Sequence, residues 1–344
     1  MPTRPNVVVI VGDDIGPHTL GPTSPLPIPH LDALRRESRV FANARASAPL
    51  CAPGRYALMT GNLPLRSRTG YGAWEWPEAS ALKPGQRSLA QLLRDGGGYA
   101  TQLGGKWHVG GDPIDVGFDG ALYIPRGHSF EPYRTLVRGN AKRPAECPES
   151  VLNARRMAEV PWRWRLTVPD CLAAHARHVL ATTAQPFFYY HGASQAHLPI
   201  MRSVALLNEG PVANVSGYGY RFDAIVSFDL TVGLMLKTLD KRGLTDTTIV
   251  VLTSDHGQDC EWEHVRARAV VCPPSHATDG LSAYDFFQGA RGYKGTLYEG
   301  GLRVPLWIRW PGVIAPGVLT ATTATIDYVR TLAAMLKIEV PPHQ

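Results

Sequence analysis

Two apolar runs rich in β-branched residues constrain this 344-residue chain more than anything else in it: Asn6–Val11 near its start, and Thr248–Thr253 far along it. Neither run alternates polar with apolar. Each therefore reads as a strand buried on both faces, the mark of a parallel sheet covered by helices. Pro186–Tyr190 is a third such run, and Tyr99–Leu103 reads as a fourth strand. Between them lie stretches of helical character. One opens at Ile28 and runs to about Val40, Ser88–Arg94 is closed by Gly96–Gly98, and Phe222–Leu239 and Ile326–Leu336 follow. With no internal repeat and no linker, residues 1–344 read as a single doubly wound α/β domain, with 258–291 as an inserted loop.

Composition narrows the function classes. The chain is 44% hydrophobic and 19% charged, and no apolar run approaches the roughly 20 residues of a membrane span. A net charge of +6 without a basic run interleaved with aromatics argues against nucleic-acid binding. It suits an anionic small substrate and plain solubility equally. No signal-peptide pattern precedes Asn6, so a cytoplasmic location is expected, or a periplasmic or secreted one if an export signal has been removed. Five cysteines are too few for a disulfide scaffold; setting Cys51 aside leaves four, enough for two bridges or none. Cys260 with His264, and Cys272 with His276, repeat a C-x₃-H spacing. That set fits a small zinc site, a Cys260–Cys272 bridge or free thiols.

Chemistry concentrates where the strands end. The first run passes into Gly12-Asp13-Asp14-Ile15-Gly16, and Thr248–Thr253 passes into Ser254-Asp255-His256-Gly257. In open α/β sheets ligands gather beyond the carboxyl ends of the strands. One Asp pair there is as readily a turn. Two buried strands each delivering carboxylate, one with a histidine beside it, make a site for a hard cation such as Ca²⁺ or Mg²⁺. Past Leu103 come Lys106 and His108, two apart among glycines and able to face one pocket. Past Tyr190 come His191 and His197, of which His197, further into the loop, is the better candidate for chemistry.

A fifth segment, Cys51-Ala52-Pro53-Gly54-Arg55 running on to Thr60-Gly61, has its own logic. Pro53 suits the first turn of a helix and Gly61 the left-handed residue that closes one. Cys51 then falls just before a helix N-terminus, where unpaired N–H groups and the dipole favour an anion. Arg55 lies one turn on, within reach of position 51.

Taken together, these segments resemble the sulfatase family of the alkaline-phosphatase superfamily, from Asn6 to about Leu336. Cys51-x-Pro53-x-Arg55 with Thr60-Gly61 is the most specific element, and Gly292–Gly301, which contains Lys294, is very like a second family signature. The resemblance implies an alkaline-phosphatase-like fold: a large, mostly parallel mixed sheet flanked by helices in three layers. It implies that a formylglycine-generating enzyme oxidises Cys51 to Cα-formylglycine. It further implies that Asp13, Asp14, Asp255 and His256, with the modified Cys51, hold a divalent cation, Ca²⁺ first and Mg²⁺ or Mn²⁺ otherwise. Arg55, Lys106, His108, His197 and Lys294 fall at the family's catalytic positions. The expected activity is hydrolysis of an aryl or carbohydrate sulfate monoester to alcohol and inorganic sulfate. His256 departs from the Asn of many sulfatases and is shared with choline sulfatases and phosphonate monoester hydrolases. A phosphonate monoester or phosphodiester hydrolase is therefore the alternative, and a silent anion-binding homologue with unoxidised Cys51 is another. Asn62 replaces a common Arg. Most sulfatases continue into a smaller C-terminal subdomain, largely absent here beyond about 337, so a second subunit could supply one wall of the pocket. Trp74, Trp76, Trp162 and Trp164 are candidates to stack on a sugar or aryl ring.

Overall fold

The computed structural model describes residues 4–68, 70, 80–124, 137–138, 168–197, 215–217, 220–259 and 290–341. Its centre is strand β1 (Asn6–Gly12), buried along its whole length. β1 pairs in parallel with β6 (Phe187–Gly192) on one side and β7 (Thr248–Ser254) on the other, with Val8 opposite Tyr189 and Val250. β3 (Ala100–Lys106) and β4 (Gly120–Ile124) extend the parallel sheet beyond β6, and β5 (Val137–Arg138) closes that edge antiparallel. Beyond β7 lie β8 (Leu306–Arg309), antiparallel to both neighbours, then β2 (Arg39–Arg45) and β9 (Gly317–Ala324). The nine-stranded order is β5-β4-β3-β6-β1-β7-β8-β2-β9. The sheet is mixed and mostly parallel, as expected.

Alternation along β1 explains the layers. Val7, Val9 and Val11 face one hydrophobic core, while Val8 and Ile10 face the other. The first core is roofed by α2 (Cys51–Thr60), α3 (Leu89–Gly97) and α7 (Tyr328–Met335). The second is roofed by α1 (Pro29–Arg36), α4 (Val168–Thr182) and α5 (Tyr220–Lys241). α3 opens on a capping box in which Ser88 Oγ accepts from Gln91 N at 3.0 Å and Gln91 Oε1 accepts from Ser88 N at 2.9 Å. α6 (Glu299–Leu302) is one turn between the Lys294 loop and β8.

The first helix is shorter than its sequence suggested. It ends at Arg36, and Val40 belongs to β2. Ser38 Oγ donates back to Leu34 O at 2.6 Å as the chain leaves the helix. The β-branched and aromatic pair Val40-Phe41 then enters the sheet. Among the described residues no helix is long and apolar enough to cross a membrane. Cys51 is a free buried cysteine and Cys171 is disulfide-bonded. Cys147, the Cys260/His264/Cys272/His276 set and the four tryptophans lie outside the described residues.

Candidate active site

Strand direction does the gathering. β1, β3, β6 and β7 all end at one edge of the sheet, and Asp13/Asp14, Lys106/His108, His197 and Asp255/His256 follow those ends. Helix α2 comes in from above with Cys51 as its first residue and Gly61, φ 66°, as its left-handed stop. All ten of its residues are buried. A side chain at Gly54 would drive its Cβ into the carbonyl oxygen of Asp255. Only glycine there lets the first turn of α2 rest on the end of β7, which brings Cys51 to the carboxylates.

Cys51 Sγ lies 3.1 Å from His256 Nε2 and 3.8 Å from Asp13 Oδ1. Lys106 Nζ donates to Asp13 Oδ2 at 2.7 Å, and Lys294 Nζ to Asp14 Oδ1 at 2.8 Å. Arg55 is completely buried, and its guanidinium engages two carboxylates and a backbone carbonyl of the cluster. Its Nε donates to Asp255 Oδ2 at 2.9 Å and its Nη1 to Lys106 O at 3.0 Å, with Nη2 3.5 Å from Asp13 Oδ2. The buried hydroxyl of Tyr190 stands 3.5 Å from Nη1. His256 Nδ1 is 2.8 Å from Gly257 O, which fixes a proton on that nitrogen and leaves Nε2 facing the cluster, 3.1 Å from Asp14 Oδ1.

Asp14 sits in the left-handed region, φ 60°, a conformation Asp tolerates better than most residues. Three groups hold its turn. Arg221 Nη2, at the start of α5, donates to Asp14 O at 3.0 Å. Ser254 Oγ accepts from Ile15 N at 3.3 Å, and Gln258 Oε1 accepts from Gly16 N at 3.2 Å. Arg221 and Gln258 have no signal in the sequence: one reads as a surface cation at a helix start, the other as a loop amide.

The electrostatics follow from burial set against this crowd of charges. Burial raises the Asp13 carboxyl, yet Lys106 and His197 outweigh it and hold the pKa low. Burial and Asp13 together lift Asp255 to about 6. Burial opposes the ionisation of Cys51, but Lys106, Lys294 and His256 overcome it and pull the thiol well below its ordinary range. Burial pushes His108 down to about 4, against a hydrogen bond with Cys51 that works the other way. His197 moves up, because Asp13 and Asp14 outweigh burial and Lys106.

Two overlapping donor sets fit a metal ion. Asp13, Asp14, Cys51 and His197 offer ligand atoms within 4.8 Å of one another, as do Asp13, Cys51, Asp255 and His256. All six residues are buried. Asp14 Oδ2 is buried with no hydrogen-bond partner, an orphan acceptor of the kind a cation satisfies. Three carboxylates and an imidazole suit a hard divalent ion. His197 thus belongs to one of the two donor sets, alongside the Asp13, Asp14, Asp255 and His256 expected from the sequence.

This fold and this cluster define a class: an alkaline-phosphatase-like α/β protein with a buried Asp/Cys/His cluster at the strand ends whose donor atoms could hold a divalent cation. Residues 5–338 match the family described as Sulfatase, and the chain belongs to that family. Human arylsulfatase A is 31% identical over 359 residues, covering 98% of this chain and 65% of that protein. N-acetylgalactosamine-6-O-sulfatase of Bacteroides thetaiotaomicron is 27% identical over 403 residues, covering 98% and 74%. The solved phosphonate monoester hydrolase of Agrobacterium radiobacter shares the fold, with a TM-score of 0.60, 17% identity, and coverage of 98% and 74%. The chain thus spans about two thirds of the length of human arylsulfatase A. The family generally uses a divalent metal and formylglycine.

Proposed function

We propose that the chain is a sulfuric ester hydrolase that cleaves an aryl or carbohydrate sulfate monoester to alcohol and inorganic sulfate. One observation carries this reading: Cys51, at a helix N-terminus, meets three buried carboxylates and His256 on one side and Lys106, His108, His197 and Lys294 around it. A sulfate monoester is an anion that repels nucleophiles, so its site must neutralise it and present a strong attacker. Oxidation of Cys51 to Cα-formylglycine by a formylglycine-generating enzyme supplies a hydrated aldehyde, with one hydroxyl to attack sulfur and a second to expel sulfate afterwards. The bound cation, Ca²⁺ in this reading and Mg²⁺ or Mn²⁺ otherwise, supplies positive charge that lowers hydroxyl pKa and polarises the ester.

The chain's own residues have separable tasks. Asp13, Asp14, Asp255 and His256 hold the cation, the last through Nε2 because Gly257 O keeps the proton on Nδ1. Arg55 keeps Asp255 and Asp13 in place. Lys106 and Lys294, held beside the site by Asp13 and Asp14, would supply positive charge to the sulfate oxygens. His108, neutral at physiological pH because burial depresses it, is the base. His197, whose ring lies beside Asp13 and Asp14, gives the departing alcohol its proton.

Cys51→Ala should abolish turnover and leave the thermal unfolding transition in place; full activity in that variant would refute the mechanism. His256 favours a second reading, hydrolysis of a phosphonate monoester or phosphodiester on the same scaffold. Side-by-side kcat/KM on an aryl sulfate and an aryl phosphodiester separates the two. A third reading, an anion-binding homologue without catalysis, requires a Cys51 that stays a thiol. The disulfide at Cys171 supports an oxidising, extracytoplasmic compartment over the cytoplasm.

A further inference from the structure

The chain is encoded with a thiol at position 51, and the donors around that thiol fit a different ion from the one that suits an oxygen there. Cys51 Sγ lies 3.1 Å from His256 Nε2 and 3.8 Å from Asp13 Oδ1, and His256 Nε2 lies 3.5 Å from Asp255 Oδ1. Asp13, Asp255 and His256 are fully buried and Cys51 is 6% exposed. Ligands set tetrahedrally around an ion at the usual zinc distances are about 3.3–3.6 Å apart, and each of the three spacings comes within about half an ångström of that. The outer carboxylate oxygens are engaged elsewhere. Asp13 Oδ2 accepts from Lys106 Nζ at 2.7 Å, and Asp255 Oδ2 accepts from Arg55 Nε at 2.9 Å. That leaves Oδ1 of each carboxylate toward the sulfur or the imidazole, held from behind by a cation. His256 carries its proton on Nδ1, against Gly257 O, so Nε2 offers a lone pair.

A hard ion has little use for this set. Ca²⁺ takes roughly six to eight oxygen ligands, and sulfur is not among them. A thiolate beside an imidazole selects a softer ion, and two carboxylate oxygens complete a four-coordinate zinc shell. We propose that, while Cys51 is a thiol, Asp13, Cys51, Asp255 and His256 form a closed Zn²⁺ site, different in kind from the hard-cation site that an oxygen at position 51 would complete. As the ion binds, a sulfur–metal bond forms and the thiol proton leaves to solvent; nothing is oxidised or reduced. The protein fills all four places of the shell, so none is left for an ester, and the zinc form is inactive. This concerns the unconverted chain alone, and it stands or falls apart from the hydrolase reading.

The test uses full-length protein expressed without a formylglycine-generating enzyme, with Cys51 shown to be a thiol by the mass of its peptide. Wild type is compared with Cys51→Ser and Cys51→Ala. Co²⁺ is the probe, because cobalt bound to a thiolate absorbs in the near ultraviolet. Wild type should show one more equivalent of thiolate-bound cobalt than either variant, a difference from which any contribution of Cys260 and Cys272 cancels. Zn²⁺ should displace that cobalt stoichiometrically, and Ca²⁺ in about a hundredfold excess should leave it in place. Cys51→Ser keeps the size of the side chain and puts oxygen in place of sulfur, so it should fold as wild type does. Its affinity for Zn²⁺ should drop by at least the roughly 10–100-fold that loss of a ligand's supporting residue costs. Zn²⁺ should accordingly raise the Tm of the thiol protein more than that of Cys51→Ser. Equal cobalt spectra in wild type and Cys51→Ser would overturn the zinc site, as would a thiolate band that Ca²⁺ removes as readily as Zn²⁺ does. Sulfate release by converted protein is a separate measurement that bears on the hydrolase reading alone.

Discussion

Arg55 shows how much of this site is held by charges that never meet solvent. Its guanidinium and the Asp255 and Asp13 carboxylates are all fully buried. Arg55→Ala would leave Asp255 uncompensated in a low-dielectric interior, at a cost of about 3–5 kcal/mol. The urea midpoint should drop accordingly, and a variant as stable as wild type would contradict the assignment. His191 makes a different prediction. Burial, with His175 adding to it, holds its pKa at about 3 against 6.5 for an ordinary histidine. Below pH 6.5 the unfolded chain gains a proton that the folded chain refuses, so stability falls as pH drops from 6.5 toward 3. His191→Gln should shrink the loss of Tm between pH 7 and pH 5; an identical loss in both proteins would contradict this. The ionisable residues of the cluster were legible because they stand at strand ends in order. Arg221 was not, because nothing local separates a buried guanidinium from a surface one.

At the scale of elements, α2 is the part that must be in place. Gly54→Ala would drive a Cβ into Asp255 O, and overpacking of this kind costs about 1–3 kcal/mol. The helix would have to lift and carry Cys51 away from the carboxylates. A shift of about 1 Å can cost about a hundredfold in rate, so kcat should fall far more than stability does. Equal activity in Gly54→Ala would mean that the contact is dispensable. The buried strands β1, β6 and β7 were readable because each is an unbroken apolar run. β4, α4 and β9 were not: β4 and α4 lie where the hydrophobic pattern loosens, and β9 is an exposed, Thr-rich edge strand whose composition resembles a loop. The overrun of α1 into Val40 has the same origin, since helix and strand periodicity overlap where a short apolar stretch begins.

For the whole molecule, the proposed cation site would tie the ends of β1 and β7 to α2. A divalent ion bound there stabilises the folded chain by mass action, about 2.7 kcal/mol at a hundred times its Kd. Ca²⁺ should raise Tm, a chelator should lower it, and Asp14→Asn should blunt the response; a Tm indifferent to both would argue against a structural cation. In the proposed reading position 51 carries the function, and the chain encodes it as a cysteine. The decisive measurement is the rate of sulfate release against the fraction of Cys51 converted to formylglycine, read from the mass of the Cys51 peptide across samples matured to different extents. The account predicts a rate that rises in proportion to that fraction from zero in the all-thiol protein; full-rate sulfate release from protein whose Cys51 is entirely thiol would contradict it.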